Sequence, residues 1–389
     1  MPLLVSHRVL TRAHLGAQTP AQTFQVIFDT GSADLIIPDS GCSACDSSTD
    51  VYVPSDSSTA ATSSTAFQIT YGSGYASGVL VRDDVTVANY TSTDQVFALV
   101  DQIQGIIQGD IDGICGMAYQ SISQTGYAPP VQALANAGML PSDVFGFYLL
   151  DVEGFSSNLY RNGGVMTIGG VDTSLYTGDI NWVELASSGT YWDIPLDALA
   201  VNGNDLGVTA DRAIIDTGTS LIAAPQSVCE SIYSQLGGSA TTVSGVSGYY
   251  GYPCDTPVSV TFTFGGQDYT VDSEAFNSGY LPTDYSTCLG AFFALDAGND
   301  PTAQSSTSIS WIVGASFLKT VYSAYRFSGP PAVGFAQLGS GGTANGISST
   351  TGGSTETNSD STGAAVATSS SAGTVGAVVA AAALALVSL

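Results

Sequence analysis

The chain has 389 residues, 44% of them hydrophobic, enough for two lobes of ordinary size around a sizeable core. Its 33 acidic residues outnumber 7 basic ones, for a net charge of −26. With no basic patch to neutralise phosphates, nucleic-acid binding is excluded. Such a surface repels itself at neutral pH and relaxes as its carboxylates protonate. That suits simple solubility, or a protein that works in acid.

Residues 1–17 carry no clean secretory signal, because the opening stretch is short and His7 and Arg8 interrupt its apolar run. From residue 18 to 338 strand signals are dense: Val, Thr, Tyr and Phe alternate with small polar residues, and Gly and Pro punctuate them. Val26, Ile27 and Phe28 read as a strand end leading into Asp29, Thr30, Gly31 and Ser32. A carboxylate at such a place is costly to bury unless it is paired or hydrogen-bonded. Six cysteines follow: Cys42, Cys45, Cys115, Cys229, Cys254 and Cys288. Cys42 and Cys45 have half the spacing of a zinc site, but no second such pair exists and the only histidines are His7 and His14. No metal is therefore expected, and a small disulfide loop in an oxidising compartment is the better reading. Asn89-Tyr90-Thr91 is an N-glycosylation sequon.

Pro129-Pro130 opens a short helix that Gly138 closes, and Pro225 opens another that Gly237 closes. Between them, Ala213 to Ile222 repeats the first pattern: an apolar run, then Asp216, Thr217, Gly218 and Thr219. Val258 to Phe264 alternates strictly and Gly265-Gly266 turns the chain, the clearest hairpin signal in the sequence. From Gly339 the composition shifts to a Ser/Thr/Gly-rich stretch, 339–374, that cannot bury a core. Residues 375–389 are apolar and uncharged, but short for a membrane span. A polar spacer before a hydrophobic terminus matches a glycolipid (GPI) attachment signal, with Gly363 or Asn358 as attachment residue. The alternative is a disordered stalk with an accidental apolar end. The fold expected for the whole is all-β, with few short helices.

The repeat extends beyond the Asp motifs. Ile114-Cys115-Gly116 follows Asp29, and Ile312-Val313-Gly314 follows Asp216 at a similar interval. Two related lobes, each offering one carboxylate to a shared cleft, is the economical architecture. Two carboxylates at close range do not both ionise; they share a proton and titrate as a pair. The charged member takes a proton from a water held between them, and the protonated member polarises a substrate carbonyl. Water then attacks an amide with neither metal, cofactor nor covalent intermediate. Gly31 and Gly218 let the backbone approach, and Ser32 and Thr219 supply hydroxyl donors. Asp29 is satisfied by those donors and by the proton shared with Asp216.

Together these motifs resemble the pepsin-like aspartic proteases, over nearly all of Phe24 to Leu338. The stretches Asp112–Tyr119, Tyr176–Leu185 and Trp311–Leu318 look like that family's first apolar-Gly motif, interlobe crossing and second apolar-Gly motif. The resemblance implies a bilobal fold with lobes at 18–180 and 181–338, and endopeptidase activity at acidic pH with Asp29 and Asp216 catalytic. Protein or peptide substrates and a monomer on the secretory route follow from it. It makes Ile69 to Gly74 the flap hairpin, with Tyr71 capping the cleft and Gly72 and Ser73 bonding substrate backbone. Thr30 and Thr217 would brace the two Asp loops. Cys254 and Cys288 match its C-terminal-lobe disulfide and Cys42 and Cys45 its first small loop; Cys115 replaces a larger apolar residue of the family and is expected to be a buried free thiol, and Cys229, on the short helix after Pro225, is assigned no partner.

The sequence departs from the family in three places. Ile36 stands where the family usually has a tryptophan whose indole bonds the flap tyrosine; isoleucine cannot donate, so Tyr71 is expected to be held less firmly. Residues 1–17 stand where a signal, a propeptide and the first strand of the interlobe sheet are usual, which points to a wrong gene-model start. Ser73 lacks the acidic group that some fungal relatives carry in the flap, so large apolar residues at the scissile bond are preferred to lysine. A catalytically impaired binding protein or a surface glycoprotein is the alternative reading. A phosphoryl-transfer enzyme is disfavoured by the single lysine, Lys319.

Overall fold

Strands of period two dominate a computed structural model of the chain, which describes residues 10–15, 21–42, 44–71, 74–107, 111–150, 164–187, 189–208, 211–243, 246–281, 284–295 and 311–339. The hairpin expected at Gly265-Gly266 is present: Ser259–Phe264 pairs with Gln267–Asp272, with Phe264 opposite Gln267. Both turn glycines have positive φ, 56° and 73°, as a tight two-residue hairpin turn requires. Val260, Phe262 and Phe264 point inwards and are buried, while the threonines between them face outwards. The helices Pro130–Asn136 and Gln226–Gln235 begin and end where the Pro and Gly signals put them. Two further single-turn helices, Ser273–Phe276 and Ala315–Leu318, lack those signals.

The strands form an N-terminal sheet, a C-terminal group and a sheet between them. The first is seven-stranded, in the order Leu10–Leu15, Gln22–Asp29, Gly113–Gly116, Leu35–Pro38, Tyr90–Gln104, Gly74–Val87 and Ala61–Tyr71. Leu10–Leu15 also pairs with Val85–Val87, so this sheet curls on itself. The segment set apart at 1–17 therefore contributes a strand to the N-terminal lobe. The C-terminal half holds a five-stranded sheet around Asp211–Ile215 and Trp311–Val313 and two four-stranded sheets. Between the lobes lies the sheet Tyr176–Glu184, Ala332–Leu338, Val321–Arg326, Val144–Leu149, Gly164–Ile168. The lobe boundary expected at 180/181 falls inside the crossing strand Tyr176–Glu184.

The internal repeat is visible in the pairing. Gln22–Asp29 runs parallel to Gly113–Gly116, which in turn pairs antiparallel with Leu35–Pro38. Asp211–Ile215 runs parallel to Trp311–Val313, which pairs antiparallel with Ile222–Ala224. In each half the glycine of the apolar-Gly motif lies where two chain segments cross. A Cβ on Gly116 would stand 2.4 Å from the Asp34 nitrogen, and one on Gly314 would stand 2.2 Å from the Thr219 and Leu221 oxygens. One core cluster runs through both lobes, from Phe24 to Phe335. A smaller one gathers around Ile27, Ile36, Tyr71, Ile103 and Ile114.

Candidate active site

Both Asp-Thr-Gly loops leave the ends of their parallel strands and meet between the lobes. Asp29 is held through its backbone by Met117 N–H at 2.8 Å, and Asp216 donates its N–H to Val313 O at 3.0 Å. The carboxylates are coordinated alike. Asp29 accepts Gly31 N–H at 2.9 Å and the Ser32 hydroxyl at 2.6 Å; Asp216 accepts Gly218 N–H at 2.8 Å and the Thr219 hydroxyl at 2.6 Å. Both are almost fully buried.

The loops are locked to each other by their threonines. Thr30 N–H donates to Thr217 Oγ1 at 3.1 Å, and Thr217 N–H donates to Thr30 Oγ1 at 2.9 Å. Each hydroxyl then donates into the opposite strand, Thr30 to Ile215 O at 2.8 Å and Thr217 to Phe28 O at 2.6 Å. Each glycine lies against the other loop's carboxyl group. A Cβ on Gly31 would stand 2.6 Å from the Asp216 carboxyl carbon, and one on Gly218 would stand 2.5 Å from that of Asp29. Nothing larger than glycine lets the two carboxylates approach.

Burial pushes Asp216 well above the usual carboxylate range, and the neighbouring Asp29 charge and a hydrogen bond with Asp29 push the same way. The Thr219 hydroxyl and Gly218 N–H pull in the other direction without overcoming this. A carboxyl group whose pKa is raised beside a second carboxylate keeps one proton within the pair. That arrangement can activate a water and polarise a carbonyl with no metal.

Tyr71, expected in the flap, lies at the end of the strand Ala61–Tyr71, which pairs with Gly74–Val87 so that Tyr71 faces Gly74 across the turn. Gly72 and Ser73 lie outside the described residues. The Tyr71 ring is buried with Ile36 in one apolar cluster, and its hydroxyl, directed towards Ser32 and Asp29, has no hydrogen-bond partner. Ile36, in the same cluster, has no donor to offer it.

Cys42–Cys45 and Cys254–Cys288 are disulfides, with sequence separations of 3 and 34. Cys115 and Cys229 are buried thiols outside those bridges. Burial, with the Asp29 charge second, pushes the Cys115 thiol up to about 12, so it stays protonated and inert. Asn89 sits exposed in the turn between Gly74–Val87 and Tyr90–Gln104, at φ 71°.

Sequence reasoning missed Tyr191. The pKa of its hydroxyl is raised by burial and then by the charges of Asp216 and Asp29, which puts it within electrostatic reach of the pair. Its neighbour Trp192 donates Nε1–H to Met117 O at 2.9 Å, tying the lobes together. Two scaffolding carboxylates were missed as well. Asp34 accepts the Ser123 hydroxyl at 2.6 Å and the N–H groups of Gln124 and Thr125 at 2.9 and 3.0 Å. Asp112 accepts Gln25 N–H at 2.6 Å and Asp50 N–H at 2.8 Å. The available signal was an aspartate set among apolar residues, the same signal that marked Asp29.

Residues 12–338 match the family model for eukaryotic aspartyl proteases. The chain is 40% identical to major aspartyl peptidase 1 of Cryptococcus neoformans var. grubii, over 84% of this chain and 68% of that protein. It is 36% identical to pepsin A of Sus scrofa, over 80% of this chain and 77% of that one, and 34% identical to pepsin A of Bos taurus, over 80% of each. Two carboxylates braced by crossed threonines, in a chain matched over most of its length, identify it as a member of the eukaryotic aspartyl protease family.

Proposed function

We propose that this aspartic endopeptidase cleaves peptide bonds in acid through a water activated between Asp29 and Asp216. The observation that carries the assignment is the mutual approach of the two loops, each glycine against the opposite carboxylate, with Asp216 pushed towards its protonated form. Asp216 then holds the shared proton and hydrogen-bonds the substrate carbonyl, while the charged member of the pair takes a proton from the water. Water attacks the carbonyl carbon, the proton on Asp216 passes to the carbonyl oxygen, and breakdown of the tetrahedral species sends a proton to the leaving nitrogen. Thr30, Thr217, Gly31, Gly218, Ser32 and Thr219 hold the pair in this geometry. Tyr71 with Gly72 and Ser73 closes over the substrate.

The apolar cluster behind Tyr71, with Ile36, Ile103, Ile106, Ile111 and Ile114, supports a preference for large apolar residues at the scissile bond. A peptide-library profile dominated by lysine there would count against it. Two disulfides and an exposed sequon at Asn89 support a secretory, glycosylated, extracellular protein acting as a monomer on proteins and peptides. A glycolipid tether through residues 375–389 accords with the composition of that tail, which lies outside the described residues.

The test is cleavage of acid-denatured haemoglobin at about pH 3.5, where one shared proton suits such a pair. Activity blocked by a statine-type inhibitor and lost in Asp216→Asn is the expected result. Activity that survives Asp216→Asn would reject the assignment.

A further inference from the structure

Two buried hydroxyls beneath the pair are unused by this mechanism. Ser323 and Tyr325 lie two residues apart on strand Val321–Arg326 of the interlobe sheet, and so share one face. Both are 0% exposed, and neither hydroxyl oxygen has a hydrogen-bond partner. The Tyr325 ring stacks on Phe145 at 4.9 Å and meets Trp192 and Phe147 edge-on at 5.3 and 5.9 Å, so it cannot swing its hydroxyl to solvent. That hydroxyl faces those of Ser323 and Thr30 and lies within electrostatic reach of Asp216. Thr30 Oγ1 donates to Ile215 O and accepts Thr217 N–H; the Thr217 hydroxyl also lies 3.5 Å away but gives its one proton to Phe28 O at 2.6 Å, so Thr30 Oγ1 keeps a lone pair for a further donor. Unpaired hydroxyls are costly in a close-packed interior, and an internal water with about two to four polar partners is the usual remedy.

We propose that Tyr325 and Ser323 hold one internal water against Thr30 Oγ1, and that this bridge ties the interlobe sheet to the Thr30–Thr217 lock. The inference rests on the assignment of Asp29 and Asp216 above. Tyr325 is then a positioning residue, since it touches no reacting atom. It acts through Thr30 on Asp216, whose other neighbours are Asp29, Thr219, Gly218 N–H and Tyr191. Loosening the lock admits solvent to Asp216 and lessens the burial that keeps it protonated.

Tyr325→Phe in the full chain keeps the ring and removes only the hydroxyl. The expected result is a fall in Tm of about 1–4 °C. With it, kcat falls roughly 3- to 10-fold at constant KM, the loss of about one net hydrogen bond. The alkaline limb of the kcat–pH profile moves to lower pH. Ser323→Ala shifts all three in the same direction, and the double variant is no worse than Tyr325→Phe, because both remove one bridge. An orphaned hydroxyl predicts the opposite sign: removing it leaves Tm level or higher, and that result overturns the proposal. A lowered Tm with a superimposable pH profile overturns it too, by leaving Tyr325 a packing role alone. Asp216→Asn run in parallel separates the two readings. If that variant stays active the catalytic assignment fails, while the sign of the Tm change in Tyr325→Phe still decides the bridge.

Discussion

Replacing Thr217 by valine tests the lock between the loops, because it alters two hydrogen bonds and little shape. Thr217 is buried, and its hydroxyl accepts Thr30 N–H at 3.1 Å and donates to Phe28 O at 2.6 Å. The third bond, from Thr217 N–H to Thr30 Oγ1, survives in the variant. Two buried backbone groups, Thr30 N–H and Phe28 C=O, lose their partners. Each stranded group costs about 1–3 kcal/mol, so the pair costs roughly 2–6 kcal/mol. The extra methyl returns about 0.8 kcal/mol at most. The net expectation is a destabilisation of roughly 1–5 kcal/mol. Since the lost bonds span the loops that carry Asp29 and Asp216, kcat should fall about 100-fold, the scale of a misplacement near 1 Å. Denaturant unfolding followed by tryptophan fluorescence measures the first, and hydrolysis of a peptide substrate in acid the second. Thr30→Val strands Ile215 O and Thr217 N–H and should behave alike, with the double variant less than additive. A Thr217→Val protein within about 0.5 kcal/mol of the parent, smaller than one net hydrogen bond, would refute the reasoning.

Three further outcomes are expected. The raised pKa of Asp216 favours the folded state while the group is protonated, so its contribution is full below the ordinary carboxylate range and disappears as pH rises through the raised value. Denaturation midpoints should fall with rising pH in that window, and less steeply in Asp216→Asn; parallel curves would show that Asp216 is not the group responsible. Removing the Cys254–Cys288 bridge, with its separation of 34 residues, should cost about 4 kcal/mol, and removing Cys42–Cys45, with a separation of 3, about 1.5 kcal/mol. Equal losses on replacing each pair by serine would contradict the loop-closure argument. Ile36→Trp supplies an N–H donor beside the unpartnered Tyr71 hydroxyl and should raise the turnover number. The added bulk at a fully buried site should cost about 1–3 kcal/mol, and unchanged turnover would dismiss the missing donor as a cause of slow catalysis.

Local patterns carried much of this protein. An apolar run ending in Asp-Thr-Gly, found twice, was legible because β-strands and tight turns have short-range signatures, and the two halves do pair their strands alike. The alternation from Val258 to Phe264, the two glycines after it and the Pro and Gly limits of both longer helices were legible for the same reason. Of the disulfides, the short Cys42–Cys45 loop was legible from its spacing, but Cys254–Cys288 was not: six cysteines permit many pairings, and the family resemblance picked out that one. Residues 10–15 read as part of an atypical leader, yet they form a strand, because their partners Gln22–Asp29 and Val85–Val87 come from elsewhere in the chain. That the two Asp loops meet at all was likewise undecided by two separate motifs. Tertiary structure decides it, by burying Asp216 against Asp29, which raises the pKa of Asp216. Tyr191, Asp34, Asp112 and the Ser323–Tyr325 hydroxyls became visible only in the fold. Their sequence contexts are ordinary, and what sets them apart is the company that distant strands bring to them.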